Sequence, residues 1–426
     1  MLQVKFIKEN IDQVKAGLKV RNYSDDALQI VEQILATDDR RRNTQQQLDS
    51  ILSEEKNLAK AIGGLYKEGK RDEAETMKTK VAALKEQSKS LQEQHNEVVN
   101  QLEGLLLQVP NVPHPSVPNG NSDADNEVYK TWSADLPALP EDALPHWELA
   151  KKYNLFDLDL GVKITGAGFP LYRGHGAKLQ RALINFFLDE ADAAGYEEVI
   201  PPHMVNEASA KGTGQLPDKE GQMYHVTGDN LYLIPTAEVP ITNIHRNDIL
   251  SEADFPIKLA GYTPCFRREA GSYGKDVRGL NRVHQFDKIE IVQIQHPDKS
   301  YDTLMEMMQH VEGLLNKLEL PYRILRLCGG DLTFASALTF DFEVYSAAQK
   351  RWLEVSSVSN FETFQTNRLK LRYRDDNKKI HLAHSLNGSA LALARIVAAL
   401  LENNQTPDGI RIPKALQPYT RFDTIA

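Results

Sequence analysis

Proline is absent from the first quarter of this 426-residue chain, the first being Pro110. Nothing in that stretch forbids long helices. Cysteine is scarce as well: Cys265 and Cys328 are the only two, with no Cys-x-x-Cys spacing. Neither a disulfide scaffold nor a thiolate zinc site is expected. Apolar runs are short, the longest being Ala390 to Leu401, which is broken by Arg395. That is too short for a bilayer, so no membrane partner is expected. The start, MLQVKFIKENIDQVK, is charged throughout and lacks an apolar h-region, which predicts no secretory signal and a cytoplasmic protein. No Gly-x-Gly-x-x-Gly follows a strand pattern, and Gly274-Lys275 has Glu269 where a P-loop needs glycine. A net charge of −9 argues against a chain coated in nucleic acid, but leaves room for a local basic surface.

What is present divides at the prolines. Residues 27–108 are rich in Gln, Glu, Lys and Leu. From Met77 the frame runs Val81, Leu84, Ser88, Leu91, His95, Val98, Leu102 and Leu105. These steps alternate four and three, the heptad signature, with His95 read as a tolerated seam residue. Ile30, Ile34, Leu48, Ile51, Leu58 and Ile62 keep a similar frame, interrupted by polar Thr37, Arg41, Thr44 and Glu55. Gly63, Gly64 and Gly69 lie between the two and offer a place to reverse direction. The pattern predicts an antiparallel helical hairpin that projects roughly 50–60 Å. Residues 56–89 hold nine basic against five acidic residues, whereas 30–55 and 90–104 hold three against nine. A basic distal half on an acidic protein suits a phosphate backbone, and Lys67, Lys70, Arg71 and Lys78 are the candidates. A purely structural or oligomerising hairpin is the alternative. Arg40, Arg41 and Arg42 read as a solvated face. Residues 1–26 read as a helix at the base of the arm.

Pro110, Pro113, Pro115 and Pro118 mark a linker over 109–125 into a second part, 109–426. There ALINFFLDEADAAG and YDTLMEMMQHVEGLLNKLEL read as helices, and YEEVIPPHMV and NLYLIPTAEVP as strands. TFDFEVYSAAQKRWLEVSSVS reads as strand, turn and strand, and NGSALALARIVAALLENNQ as a closing helix. The fold class is therefore α+β, a helical hairpin plus a mixed, largely antiparallel sheet flanked by helices.

Residues 266–290, FRREAGSYGKDVRGLNRVHQFDKIE, read as strand, basic glycine-bearing loop and strand. Guanidinium groups there can pair bidentately with phosphates. The string resembles motif 2 of class II aminoacyl-tRNA synthetases, in the form carried by seryl-tRNA synthetases. The resemblance extends along nearly the whole chain and includes the arm tip IGGLYKEGKRDEAE. It implies a class II catalytic domain over 109–426, a tRNA-binding domain over 1–108, and ligation of L-serine to tRNA(Ser) through seryl-adenylate. ATP and Mg²⁺ are implied, no zinc is expected, and tRNA(Sec) is left open as a second substrate. The helix and strand ending in Tyr196 to Pro202 look like motif 1, with Pro202 its marker proline, which implies a homodimer.

On the same resemblance, Thr236, Ala237 and Glu238 would lie on the serine pocket, with Glu238 facing the substrate ammonium. Arg267 would hold the serine carboxylate against the α-phosphate of ATP, with Arg268 beside it. Glu269 would orient the adenine, and Phe286 would stack on it or belong to the core. Glu290 would accept from the hydroxyl or ammonium of serine, with Ser389 as a second grip on the hydroxyl. Glu354, Val355, Ser356 and Ser357 match the family's EVSS-type ATP string, Glu354 and Ser357 offering hard oxygens to Mg²⁺. Arg395 would meet the γ-phosphate as the motif 3 arginine. Three positions depart from the family pattern: Ala390 where a glycine is common, and Thr333 and Leu338 where glycine and lysine are. Two other readings stay open: an amino-acid-activating homologue that loads a carrier protein, and a coiled-coil scaffold with a dead catalytic domain.

Overall fold

The computed structural model describes residues 1–270 and 278–426, so Gly271, Gly274 and Lys275 of the basic loop lie outside the described residues. The chain divides into two units: Met1–Lys19 with Tyr23–Pro110, and Val20–Asn22 with Asn111–Ala426.

In the first unit the start is two helices, α1 (Val4–Glu9) and α2 (Ile11–Val20), rather than one. Asn10 sits between them and turns its side-chain amide back to the Phe6 carbonyl at 3.0 Å, competing locally with the helix ladder. Helices α3 (Gln29–Lys67) and α4 (Arg71–Leu106) form the hairpin. All nine heptad positions from Met77 to Leu105 are buried or half-buried, while most residues between them are exposed. The opposing frame behaves alike, including its polar members: Thr37 is buried, and Arg41, Thr44 and Glu55 are half-buried. Arg41 reaches the buried Asp38 at 2.7 Å, so the polar break in the seam is ion-paired. The reversal occurs at Gly69, with φ of 78°. Gly63 and Gly64 continue α3, at a cost of about 1 kcal/mol each relative to alanine.

The second unit is built on an eight-stranded sheet. Its strands in chain order are β1 (Glu127–Thr131), β2 (Glu197–Glu198), β3 (Ile257–Phe266), β4 (Gln285–Gln295), β5 (Tyr322–Arg326), β6 (Leu338–Ser346), β7 (Arg351–Glu362) and β8 (His384–Ala392). The spatial order is β1-β5-β6-β7-β8-β4-β3-β2, antiparallel throughout except for the edge pair β2–β3. Helices α5 (Gly174–Ala193), α6 (Ser300–Lys317) and α7 (Leu393–Asn403) share a core with one face of the sheet. Strand alternation sends Ile289 and Ile291 of β4, Phe340 and Phe342 of β6 and Val358 of β7 into that core. The opposite face carries polar side chains and, at Leu259, Val292 and Ile294, a second apolar cluster with Ile241, Leu369 and Leu371.

Two expected strands are shorter than their patterns. YEEVIPPHMV holds only Glu197–Glu198 and Met204–Asn206, because Pro201 and Pro202 lie between them. NLYLIPTAEVP is a strand only over Leu231–Leu233, and Glu238–Thr242 is helical. The larger correction concerns residues 387–392, expected to open the closing helix, which belong to β8. Alternating Ala and Leu suits a strand buried on both faces as well as a helix, and pairing with both β4 and β7 decides for the strand. Of the departures, Ala390 and Leu338 are buried in the helix-face core. The Thr333 carbonyl accepts from Arg21 at 3.1 Å, as does that of Leu332.

Candidate active site

Sheet register places the expected residues on one face. On β4, Phe286, Lys288 and Glu290 alternate with the core residues. Across the ladder Glu290 stands opposite Ser389 of β8 and Gly261 of β3. Asp341 of β6 stands opposite Ser357, and Glu343 opposite Glu354. Glu354 and Ser357 are three apart and would point to opposite faces of a regular strand. A bulge at Val355 brings both to the polar face. Val355 itself is buried in the core, and the Ser356 hydroxyl donates to the Ser389 carbonyl at 2.6 Å.

Around Glu290 this face carries a network of buried charges. Glu290 is 2% exposed, and its Oε2 accepts from Thr236 Oγ1 at 3.2 Å and lies 3.5 Å from Ser389 Oγ. The third partner is Lys288, whose Nζ is 2.5 Å from that oxygen and donates to Thr236 Oγ1 at 2.9 Å. Lys288 sits two residues before Glu290 in a strand, so alternation alone puts both on one face, yet the sequence reading missed it. A buried carboxylate is costly without such partners. Glu238, also buried, takes a hydrogen bond from Gln365 at 2.6 Å. Burial and then the nearby Glu290 push its carboxyl up to about 7. Ala237 is fully buried and serves as the N-cap of the Glu238–Thr242 helix.

Arg267 follows β3 directly. Its Nε donates to the Pro235 carbonyl at 3.3 Å, and its guanidinium lies 5.2 Å from the centroid of the Phe286 ring. Phe286 is half-buried, packing against the core while supporting this arginine. Glu269 is held by Arg282 at 3.0 Å, and the Arg268 N–H donates to the Gln222 carbonyl. Arg395 on the first turn of α7 donates to the carbonyls of Asn281 at 2.9 Å and Glu354 at 2.6 Å. It thus ties the end of the basic loop to the bulged strand.

That loop end has its own support. Leu280 N–H donates to His146 Nε2 at 2.8 Å, which leaves the proton on Nδ1, 2.7 Å from Glu402 Oε1. Gln349 joins Glu402 to the Asn281 side chain, at 3.0 and 2.9 Å. Gly279, at φ of 64°, presses against the His146 ring: a Cβ there would lie 2.1 Å from Nε2. Nothing local in the sequence marks His146, which lies 256 residues from Glu402.

Strands β6 and β7 carry the remaining acids of this face. Asp341 is 9% exposed, and its Oδ1 has no partner among the described residues. Burial and then Glu354 hold its carboxyl well above the usual range, against the hydrogen bond from Ser357. Among the described residues no cluster of three His, Cys, Asp or Glu is built to cage a metal. Mg²⁺ needs no such cage, because one or two carboxylates plus substrate phosphates and water suffice. The donor set of Glu354, Ser357 and the unsatisfied Asp341 fits that description. His381 and His384, three apart in sequence, are engaged separately, with Asp375 at 3.0 Å and Ser300 at 2.8 Å.

On the arm, Lys67, Lys70, Arg71 and Lys78 are all exposed. Lys70 pairs with Glu68 at 2.9 Å and Lys78 with Glu75 at 2.7 Å, so part of the basic excess is neutralised in place. No helix among the described residues is long and apolar enough to cross a membrane.

Comparison with known proteins bears on both units. Residues 1–113 match the seryl-tRNA synthetase N-terminal domain, and residues 224–404 match the tRNA synthetase class II core domain (G, H, P, S and T). A serine–tRNA ligase of Salinibacter ruber is 51% identical over 427 residues, covering 100% of this chain and 99% of the relative. The crystal structure of seryl-tRNA synthetase from Pyrococcus horikoshii complexed with ATP superposes with a TM-score of 0.90 at 33% identity, covering 100% of this chain and 99% of that one. The cytoplasmic serine–tRNA ligase of Naegleria fowleri in complex with AMP gives 0.86 at 27% identity, covering 100% and 98%. The chain belongs to the seryl-tRNA synthetase family, the class II serine–tRNA ligases.

Proposed function

We propose that this protein activates L-serine with ATP as seryl-adenylate and passes the seryl group to the terminal ribose of tRNA(Ser). The observation that carries the reading is the shared polar face, where Glu238, Glu290, Thr236 and Ser389 adjoin Arg267. A carboxylate for the ammonium, acceptors and donors for the hydroxyl, and a guanidinium for the carboxylate together describe a small polar amino acid. In the first step the serine carboxylate oxygen attacks the α-phosphorus of ATP and pyrophosphate leaves. In the second the ribose hydroxyl attacks the acyl carbon and AMP leaves. Neither step demands a strong acid or base. Arg267 aligns the serine carboxylate with the α-phosphate, and Arg395 neutralises charge on the departing phosphates. Glu269 and Phe286 hold the adenine side. Glu354 and Ser357, with Asp341 beside them, would hold Mg²⁺, which when bound would supply Lewis-acid stabilisation of the phosphates.

The arm supports tRNA as acceptor in preference to a carrier protein, because duplex RNA is read by shape and phosphate contacts. Ile200, 86% exposed just beyond the edge strand β2, supports a homodimer formed through the motif 1 region. The protein acts in the cytoplasm. Charging assays with tRNA(Ser), tRNA(Sec) and an amino-acid carrier protein test the reading. Serine loaded on tRNA(Ser) is the expected result, and loading of the carrier in its place would overturn it.

A further inference from the structure

We propose that Gln365 is a positioning residue, whose hydrogen bond favours the carboxylate form of Glu238 and aims it at the ammonium group of the amino acid. The inference rests on the proposed role of Glu238 as the ammonium acceptor. Gln365 lies on the short helix Thr363–Leu369 and is 1% exposed. Its amide is fixed by three bonds. Nε2 donates to Glu238 Oε1 at 2.6 Å and to the Thr213 carbonyl at 3.2 Å, and Oε1 accepts from Ser385 Oγ at 2.8 Å. Turning the amide over would set its oxygen against a carboxylate and a carbonyl, so the network admits one orientation. That orientation offers Glu238 an N–H and nothing else.

The surroundings explain why such a donor is needed. The charged groups facing Glu238 are Glu290 and Lys288 from β4 and Arg267 at the end of β3. Lys288 is committed to Glu290 and Thr236, and Arg267 is reserved for the substrate carboxylate. Burial and Glu290 favour the neutral form of Glu238, which cannot pair with an ammonium group. A lysine or arginine at position 365 would restore the charge, yet it would also neutralise the carboxylate that the substrate must find. A neutral amide favours the anion through a hydrogen bond and leaves the charge available.

The pH dependence of kcat/KM for serine in ATP–pyrophosphate exchange tests this, since that ratio reports the free enzyme. The ionised form is the competent one, so the parent should lose activity as pH falls below about 7. Gln365→Met should move that acid limb up by about one pH unit, which is about tenfold in kcat/KM below the limb. Activity should recover at alkaline pH, with KM for ATP unchanged. Ser385→Ala, which loosens the amide without touching Glu238, should move the limb the same way by less. An unmoved limb in Gln365→Met, or a rise in KM for ATP matching that for serine, overturns the proposal. Should Gln365→Met fail to fold, an unmoved limb in Ser385→Ala overturns it instead. Glu238→Gln separates the two levels of the argument. If it leaves the serine KM unchanged, the reading of Glu238 itself fails. If it raises that KM while Gln365→Met stays at the parent profile, only the role of Gln365 fails.

Discussion

Five of the 39 residues of α3 are buried, against eight of the 11 in β4. The hairpin buries a narrow seam between two helices, and its stability comes from a pattern repeated along the chain. The sheet buries one face under α5, α6 and α7 and on the other sets the residues of the proposed site beside a second apolar cluster, so their surroundings are defined by strands far away in sequence. One region is written in periodicity, the other in register. The difference predicts that the two can be disabled separately.

The largest separation should come from removing the arm. Replacing residues 30–104 with a short linker should leave serine-dependent pyrophosphate exchange nearly intact and abolish tRNA charging. Loss of both together would make the hairpin structural for the catalytic unit, and the contrast drawn above would collapse. The converse variant is Glu290→Ala, which strands the buried Lys288 and removes the acceptor shared by Thr236 and Ser389. An orphaned buried charge costs about 3–5 kcal/mol. Activation of serine should fall by orders of magnitude, while ATP binding measured by calorimetry survives. Exchange at the parent rate would remove Glu290 from the pocket.

How legible each region was follows from the same contrast. Four-three spacing alone marked the seam of α4 from Met77 to Leu105, and nearly the same frame held in α3 through polar positions such as Thr37. The turn falls at Gly69, the last of the three glycines between the frames; glycine permits reversal without requiring it, and Gly63 and Gly64 stay helical. In the second unit the short strings could be quoted from sequence, but not what surrounds them. Ser389 was expected at a helix start and stands on a central strand, since alternating Ala and Leu serves either state until a neighbour pairs with it. Lys288 was overlooked beside Glu290 although strand alternation places them together. Gln365, Asp341 and His146 carry no local signal, because their partners lie 127, 16 and 256 residues away.

A smaller effect sharpens the account of the arm. Neutralising Lys67, Lys70, Arg71 and Lys78 should weaken tRNA binding and flatten its salt dependence. Each lost phosphate contact removes about 0.7–0.9 from the slope of log K against log salt. Lys70 and Lys78 are already paired with Glu68 and Glu75, so they should contribute less than Lys67 and Arg71. Equal effects at all four positions would show that those ion pairs open on binding.

The central claim is that the polar face of the sheet selects and activates serine by itself. Amino-acid-dependent ATP–pyrophosphate exchange, run without RNA across all twenty amino acids, tests it most directly. Serine should exchange strongly. Alanine should be refused by roughly 10⁴–10⁵, because it leaves the hydroxyl-binding groups unpaired. Threonine should be refused less, since one extra methyl in a tight pocket is worth only about 1–3 kcal/mol. Exchange that required tRNA, or that favoured alanine or any other amino acid over serine, would contradict the account.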